Sequence, residues 1–155
     1  MNVRRADLND VAAWLALARE VEYLFGPMAD ESPFQEALRQ AITTRTAFCI
    51  GSEKDDHDPA LMGGIVISKE ANEIAWLAVT ARCRGKGYGR ALLQFALSRL
   101  KPHESISVQT FDASVPAGSA ARKLYLDLGF CDDRKGPLNP AGIPTVIMKL
   151  QNLNA

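Results

Sequence analysis

The stretch that most narrows the fold of this chain is "EIAWLAVTARCRGKGYGRALLQFALSRL", residues 73–100. An almost wholly apolar run, Glu73 to Val79, ends in a loop that carries three glycines and four positive charges. An apolar run of that length bounded by a turn predicts a strand buried on both faces, central in its sheet. The loop opens into a segment from Gly87 to Leu100 whose polar residues, Arg90, Gln94, Ser98 and Lys101, form one strip. That spacing predicts a helix lying broadly on a sheet. Ser105 to Phe111 reads as the next strand. A helix joining two strands of one sheet makes a right-handed crossover, so these two strands should be parallel.

The rest of the chain supplies the remaining layers. Asn2 to Arg5 predicts a short first strand, and Asp7 an N-cap. Val11, Trp14, Leu15, Ala18, Val21 and Phe25 then recur at helical spacing until "FGP" stops the helix. A second helix is predicted from about Pro33 to Ile42. Thr46 to Ile50 and Leu61 to Ser68 read as strands, joined by a hairpin turn in "GSEKDDHDP". Gly63 and Gly64 weaken the second of these strands or mark a bulge. "KEAN" makes the next turn. Ala117 to Leu128 predicts a helix with Gly129 as its C-cap, and Pro144 to Leu150 a last strand. Hairpin strands come first and one crossover follows. The fold class is therefore α/β (α+β): a mixed central sheet of six to seven strands with helices on both faces. Residues 1–155 read as a single domain, with no repeat or linker.

Lys plus Arg and Asp plus Glu are 18 each, so no bulk charge draws the chain to nucleic acid or an anionic membrane. Any anion site must be local. No apolar stretch reaches the 18 residues that would suggest a membrane span. Asp7 and Asp10 interrupt the N-terminus where a signal peptide needs an apolar core. The expected location is the cytoplasm. Cys49, Cys83 and Cys131 are odd in number and far apart, and no Cys/His ligand spacing exists. Neither a disulfide framework nor a metal site is expected. His57 and His103 fall in polar, turn-like segments.

Helix N-termini expose unpaired N–H groups and the positive end of a dipole, which suits phosphate. In "RCRGKGYGR", Gly85, Gly87 and Gly89 alternate with Arg84, Lys86 and Arg90. The physical reading is a diphosphate cradle at the end of a central strand. The competing reading, a plain turn with solvated arginines, does not account for strand, loop, basic residues and helix coinciding. The P-loop pattern GxxxxGK[ST] is absent. A nicotinamide-dinucleotide pattern, GxGxxG, begins at Gly85 and Gly87 but has Arg90 in third place. Asp112 lies about where a ribose-binding acid would sit. Against that reading, hairpin strands precede the loop, and too little chain follows to build a doubly wound sheet.

Residues 84–89, "RGKGYG", fit the R/Q-x-x-G-x-G/A signature of the GNAT superfamily of acetyl-CoA-dependent N-acetyltransferases. "AARKLYLDLGF", residues 120–130, resembles the family's A-x-x-L-Y-x-x-x-G-F element. The order of elements resembles the family fold over nearly the whole chain. One departure is Gly118, which stands where the family often has Asn, seven residues before the helix tyrosine.

The resemblance implies a chemistry and its residues. The backbone of Leu77, Ala78 and Val79 would pair with the pantetheine arm of acetyl-CoA where the two parallel strands splay, and an N–H near Val79 would polarise the thioester carbonyl. The amides of Gly85, Lys86, Gly87, Tyr88, Gly89 and Arg90 would hold the diphosphate, with help from the Arg84 side chain. Tyr125 resembles the proton donor to the departing thiolate. A phenol (pKa about 10) is a weaker acid than a thiol (about 8.5), so a strengthening hydrogen bond is expected rather than full transfer. Tyr125 also lies on an apolar face with Leu124 and Leu128, as a core tyrosine would. Glu73 resembles the general base of the histone-acetyltransferase branch; its competing reading is a solvated strand-end residue. Cys83 reads as an ordinary loop cysteine. Asp112 could meet substrate or cap a turn. Glu22, Asp30 and Glu31 border the implied acceptor site, where they favour a cationic amine or merely face solvent. The expected activity is acetyl transfer from acetyl-CoA to a primary amine in a ternary complex. The alternative is a non-catalytic acyl-CoA-binding sensor of the same fold. The acceptor is a small molecule or a protein, and a homodimer is compatible with the chain.

Overall fold

The computed structural model describes residues 1–51 and 60–151. Seven strands form one sheet: β1 (Arg4–Arg5), β2 (Ala47–Gly51), β3 (Leu61–Ser68), β4 (Glu73–Val79), β5 (Ile106–Phe111), β6 (Cys131–Lys135) and β7 (Thr145–Leu150). Their order across the sheet is β1-β2-β3-β4-β5-β7-β6. Four helices flank it: α1 (Val11–Phe25), α2 (Ser32–Thr43), α3 (Tyr88–Leu97) and α4 (Ser119–Asp127). Every neighbouring pair is antiparallel except β4 and β5, which α3 connects. The single parallel pair is the expected crossover. It also removes the doubly wound alternative. The hairpin turn expected in "GSEKDDHDP" lies outside the described residues but for Gly51.

Two apolar layers lie on opposite faces. Beneath α1 and α2, Trp14, Leu17, Val21, Leu38 and Ala78 are buried together. Beneath α3 and α4, Ile65, Ile74, Leu92, Leu93, Tyr125, Phe130 and Met148 are buried together. Strands β3 and β4 read as continuous apolar runs because they contribute side chains to both layers.

Several expectations shift. Gly63 borders one bulge, whose extra residue is Met62, and both glycines also have a packing reason. A Cβ on Gly64 would lie 2.7 Å from Trp14, and one on Gly63 2.8 Å from Leu92. Helix packing on both faces at that point excludes any side chain. The bulges fall between Ile50 and Gly51 and, on the β4 side, opposite Val66 and Ile67. The third helix ends at Leu97, three residues early, where the Ser98 hydroxyl bonds back to the Phe95 carbonyl. The fourth begins at Ser119, because Pro116–Gly118 forms a separate 3-10 turn. The first strand is trimmed to Arg4–Arg5; Arg4 then forks onto Asp10 through two 2.8 Å hydrogen bonds.

Candidate active site

The site begins with a defect in the sheet. Strand β4 pairs with β5 only at Glu73↔Ser107 and Ile74↔Val108. Beyond Ile74 the two strands no longer pair, so a gap opens toward Val79. On its other side β4 stays paired with β3 as far as Gly63↔Val79. The register there jumps from Ile67↔Ile74 to Val66↔Trp76, which leaves Ala75 as the extra residue of a bulge. Ala75 is exposed although it lies in the middle of the fourth of seven strands. The gap is thus open to solvent at the bulge.

The bulge also changes which side chains share a face. Ile74, Leu77 and Val79 belong to the α3/α4 layer, while Trp76 and Ala78 belong to the α1/α2 layer. Glu73 neighbours Ile74 before the bulge, so alternation turns it to the α1/α2 face, the face of Trp76. Without the extra residue, positions 73 and 76 would lie on opposite faces.

Backbone direction follows from the same ladder. The Thr80 N–H donates to the Met62 carbonyl of β3. Alternation then turns the Ala78 backbone to β3, and the backbones of Leu77 and Val79 into the gap. Of the three residues expected to meet the pantetheine arm, Leu77 and Val79 offer main-chain groups there and Ala78 does not. The Val79 carbonyl accepts a 3.3 Å hydrogen bond from Arg84 Nε. Arg84 is thereby held at the mouth of the gap.

The glycine loop closes that mouth. Gly85 and Gly87 have φ of +74° and +90°, a conformation that side chains disfavour. Nothing approaches a Cβ built on Gly85 within 4 Å, so the space beside it is free. Gly87 is the N-cap of α3 and has no side chain to cap it. The first N–H groups of that helix therefore have no intrahelical partner. Lys86 and Arg82 make no ion pair among the described residues, and both are exposed. Unpaired amides, a positive dipole end and free cations around open space fit a diphosphate. The Arg90 side chain turns away from the loop. Its guanidinium bonds Asp127 of α4 at 3.3 Å, and Lys123 joins the same carboxylate at 2.9 Å.

Tyr125 approaches from the α3/α4 face. It is 3% exposed, packs edge-on against Phe130 at 5.4 Å, and shares a layer with Ile74 and Val108, the last paired residues before the gap. Its hydroxyl has no hydrogen-bond partner among the described residues. Burial alone pushes its pKa well above the ordinary 10.0, so the phenol stays protonated at neutral pH. Glu73 is half-buried on the other face, and its carboxylate also has no partner among the described residues. Tyr125 and Glu73 thus lie on opposite faces of the sheet, Glu73 within the last β4–β5 pairs and Tyr125 in the layer of Ile74 and Val108.

Other candidates are occupied elsewhere. Asp112 accepts from the Ser114 N–H at 3.0 Å and the Ser114 hydroxyl at 2.6 Å, which lowers its pKa and marks it as a turn cap. Cys83 is buried with its thiol 3.0 Å from Met62 Sδ. Glu22 accepts from the backbone N–H groups of Met28 (2.6 Å) and Ala29 (3.2 Å), closing the α1–α2 turn. Asp30 pairs with Arg19 at 3.0 Å, and Glu31 is exposed. Gly118 has a packing reason: a Cβ there would overlap Phe111. The asparagine often found at that position cannot be accommodated beside this phenylalanine.

Two supporting residues escaped the sequence reading. Buried Asn72 bonds the Lys101, Glu104 and Ser105 carbonyls and accepts from the Lys101 N–H at 2.7 Å. It pins the closed end of the gap. Glu20 of α1 accepts from the Thr80 hydroxyl at 2.9 Å and so anchors the start of the loop. Asn in a turn tolerates its φ of +54°, a signal that was available in "KEAN". Glu20 carried no such signal. A groove of about 390 Å³ runs between Ala13, Leu17, Glu20, Leu61 and Arg82, beside the loop rather than within the gap.

The comparisons agree with this geometry. No curated protein matches the sequence significantly. Among solved structures, the NatC complex bound to Gag peptide and CoA superposes at a TM-score of 0.73 with 18% identity, over 97% of each chain. A ribosomal-protein-alanine N-acetyltransferase from Brucella melitensis superposes at 0.72 with 16% identity, over 96% of this chain and 98% of that one. A GNAT-family acetyltransferase from Bacillus cereus gives 0.69 with 17% identity, over 98% and 97%. At such identities these likenesses speak for the fold. The sequence profile of the acetyltransferase (GNAT) domain matches residues 25–152, well over half of the chain. The chain belongs to the GNAT acetyltransferase family.

Proposed function

We propose that residues 1–155 act as one domain that transfers an acetyl group from acetyl-CoA to a primary amine by direct attack in a ternary complex. The observation that carries this reading is the gap itself. It leads from the glycine loop, past the unpaired backbones of Leu77 and Val79, to a closed end formed by Glu73 and Ile74, the latter in one apolar layer with Tyr125. A diphosphate seated on the α3 N-terminus would direct its extended arm along β4. From Val79 to Ala75 is four residues, about 13 Å of strand, which suits a long flexible arm.

Each residue then has one task. The Leu77 and Val79 main chains pair with the arm as an added strand, and one N–H there polarises the thioester carbonyl. The Gly85–Arg90 amides and the Arg84 side chain hold the diphosphate. Arg90 contributes chiefly its main chain, because its guanidinium is bound to Asp127. Glu73 takes one proton from the bound ammonium, directly or through water, and so leaves a neutral amine as the nucleophile. The amine nitrogen bonds to the acetyl carbon, the carbon–sulfur bond breaks, the sulfur leaves as thiolate, and the second amine proton passes to water. Tyr125 donates a hydrogen bond to that sulfur. Its raised pKa keeps the donor proton in place but makes complete transfer unfavourable.

One observation favours a second reading, an acyl-CoA-binding sensor without turnover. Tyr125 is enclosed among apolar side chains, as a purely structural tyrosine would be. The test is release of CoA thiol from acetyl-CoA in the presence of primary amines. Amine-dependent release, reduced at least tenfold in Tyr125→Phe, supports the enzyme. Binding of acetyl-CoA without any amine-dependent release supports the sensor.

A further inference from the structure

The α1/α2 face beside the bulge carries a cluster of rings that the transfer chemistry does not use. Phe25 closes α1, Phe34 lies in the first turn of α2, and Trp76 follows Ala75 on β4. The Trp76 ring lies 6.4 Å from Phe25, edge-on, and 6.2 Å from Phe34. Phe25 in turn stacks on Phe111 of β5 at 5.6 Å. Phe25, Phe34 and Trp76 are all half-buried, so the cluster reaches the surface. The extra residue at Ala75 sets it on the same face as the unpartnered carboxylate of Glu73.

A second observation concerns a single atom. Trp76 Nε1 is closed to solvent and lacks a hydrogen-bond partner among the described residues. Buried indole N–H groups ordinarily find an acceptor, and leaving one unmade is costly. The atom lies below the surface of the cluster. The rings stand in contact, so an occupant that satisfies it must part them rather than lie across them. A flat or branched apolar group can do that; a hydrated polar chain cannot without losing its water.

The charges point the same way. A polycation needs several free carboxylates in a row. Here Glu20, Glu22 and Asp30 are each committed to partners within the protein. Glu31, at the start of α2, is exposed to solvent, so the half-buried Glu73 is the carboxylate left to receive an ammonium group at the cluster.

Resting on the acetyltransferase reading, we infer that the acceptor is a primary amine carried on an aromatic or branched apolar body, with a carbonyl or hydroxyl oxygen close to the amine. The body parts Phe25 and Phe34 from Trp76 and takes their place against the indole, the oxygen accepts from Trp76 Nε1, and the amine faces Glu73. The amino end of an aromatic or branched α-amino amide has this chemistry, and a linear polyamine does not.

The experiment compares kcat/KM for phenylalaninamide, 2-phenylethylamine, glycinamide and spermidine, with acetyl-CoA binding measured separately by calorimetry. Phenylalaninamide is expected to exceed glycinamide and spermidine by at least about tenfold, in line with a buried apolar group. Phe34→Ala should remove that advantage through KM; Phe34→Leu serves if the alanine variant fails to fold. Trp76→Phe should erase the preference for phenylalaninamide over 2-phenylethylamine, which differ by the carboxamide whose oxygen would meet Nε1. Equal or better use of glycinamide or spermidine overturns the inference, as does an unchanged KM in the Phe34 variants. Acetyl-CoA binding with no acetylation of any of these amines also overturns it, and leaves cofactor binding intact. Failure to bind acetyl-CoA overturns both this inference and the reading it rests on.

Discussion

The two ends of β4 are built from similar apolar residues but have opposite fates. At the Glu73 end the strand is paired on both sides, and Asn72 ties the preceding turn to the loop before β5 with four hydrogen bonds. At the Val79 end it is paired on one side only, and the next residues run into a loop with two positive-φ glycines. Hydrogen bonding is concentrated at the first end, and main-chain groups that face a gap at the second. The lesson is that a sheet can keep unpaired backbone available for a ligand only if the adjoining pairing is independently secured. A buried side-chain clasp does that here.

Substitutions at the two ends should therefore separate stability from binding. Asn72→Ala is expected to have the largest effect. It strands buried main-chain groups and puts alanine at a φ of +54°, so urea denaturation should show a loss of about 3 kcal/mol. A loss below about 1 kcal/mol would mean that the clasp is not what secures the closed end. At the other end, Gly87→Glu places a side chain and a negative charge where φ is +90° and an anion is to sit. Acetyl-CoA affinity by calorimetry should fall about a hundredfold, near 2.7 kcal/mol. Arg84→Ala should weaken affinity about tenfold, near 1.4 kcal/mol. Its urea midpoint should barely move, because the residue is exposed and its bond to Val79 lies at the rim.

How far the site could be read from residues alone divides along the same line. The limits of β3 and β4 were legible to the residue, because a run buried on both faces leaves nothing polar to blur its ends. For the same reason the bulge at Ala75 was not legible. In "IAWLAV" every position is apolar, so no alternation exists whose phase could be seen to break. The loop's role was legible from Gly85, Gly87 and the helix that follows. The tethering of Arg90 by Asp127 was not, since the partners lie 37 residues apart. Asn72 and Glu20 escaped for that reason too; their bonds reach 29 to 33 and 60 residues along the chain. Gly118 was visible as a departure from the family, but its cause required seeing Phe111 against it.

A smaller effect lies far from both ends and serves as a control. Arg4 forks onto Asp10, and that hydrogen bond holds the Asp10 carboxyl below its ordinary 3.8. A depressed folded pKa gives a contribution present above about pH 4 and lost as the pH falls through the folded value. The thermal midpoint of Asp10→Asn should thus approach that of the unaltered protein between pH 5 and pH 3, by roughly a degree or two. Acetyl-CoA affinity at neutral pH should be the same in both proteins. A changed affinity would mean that the two ends of β4 are not energetically separate from the β1 edge.

The central claim is that the open end of β4 with its glycine loop holds CoA. Thermal unfolding with acetyl-CoA, CoA and NADH tests it most directly. Ligand at about one hundred times its dissociation constant adds roughly 2.7 kcal/mol, several degrees for a chain this size. The account predicts a rise with acetyl-CoA and CoA, none with NADH, and none in a folded Gly87→Glu variant. An unmoved midpoint at millimolar acetyl-CoA, or an equal rise in Gly87→Glu, would contradict it.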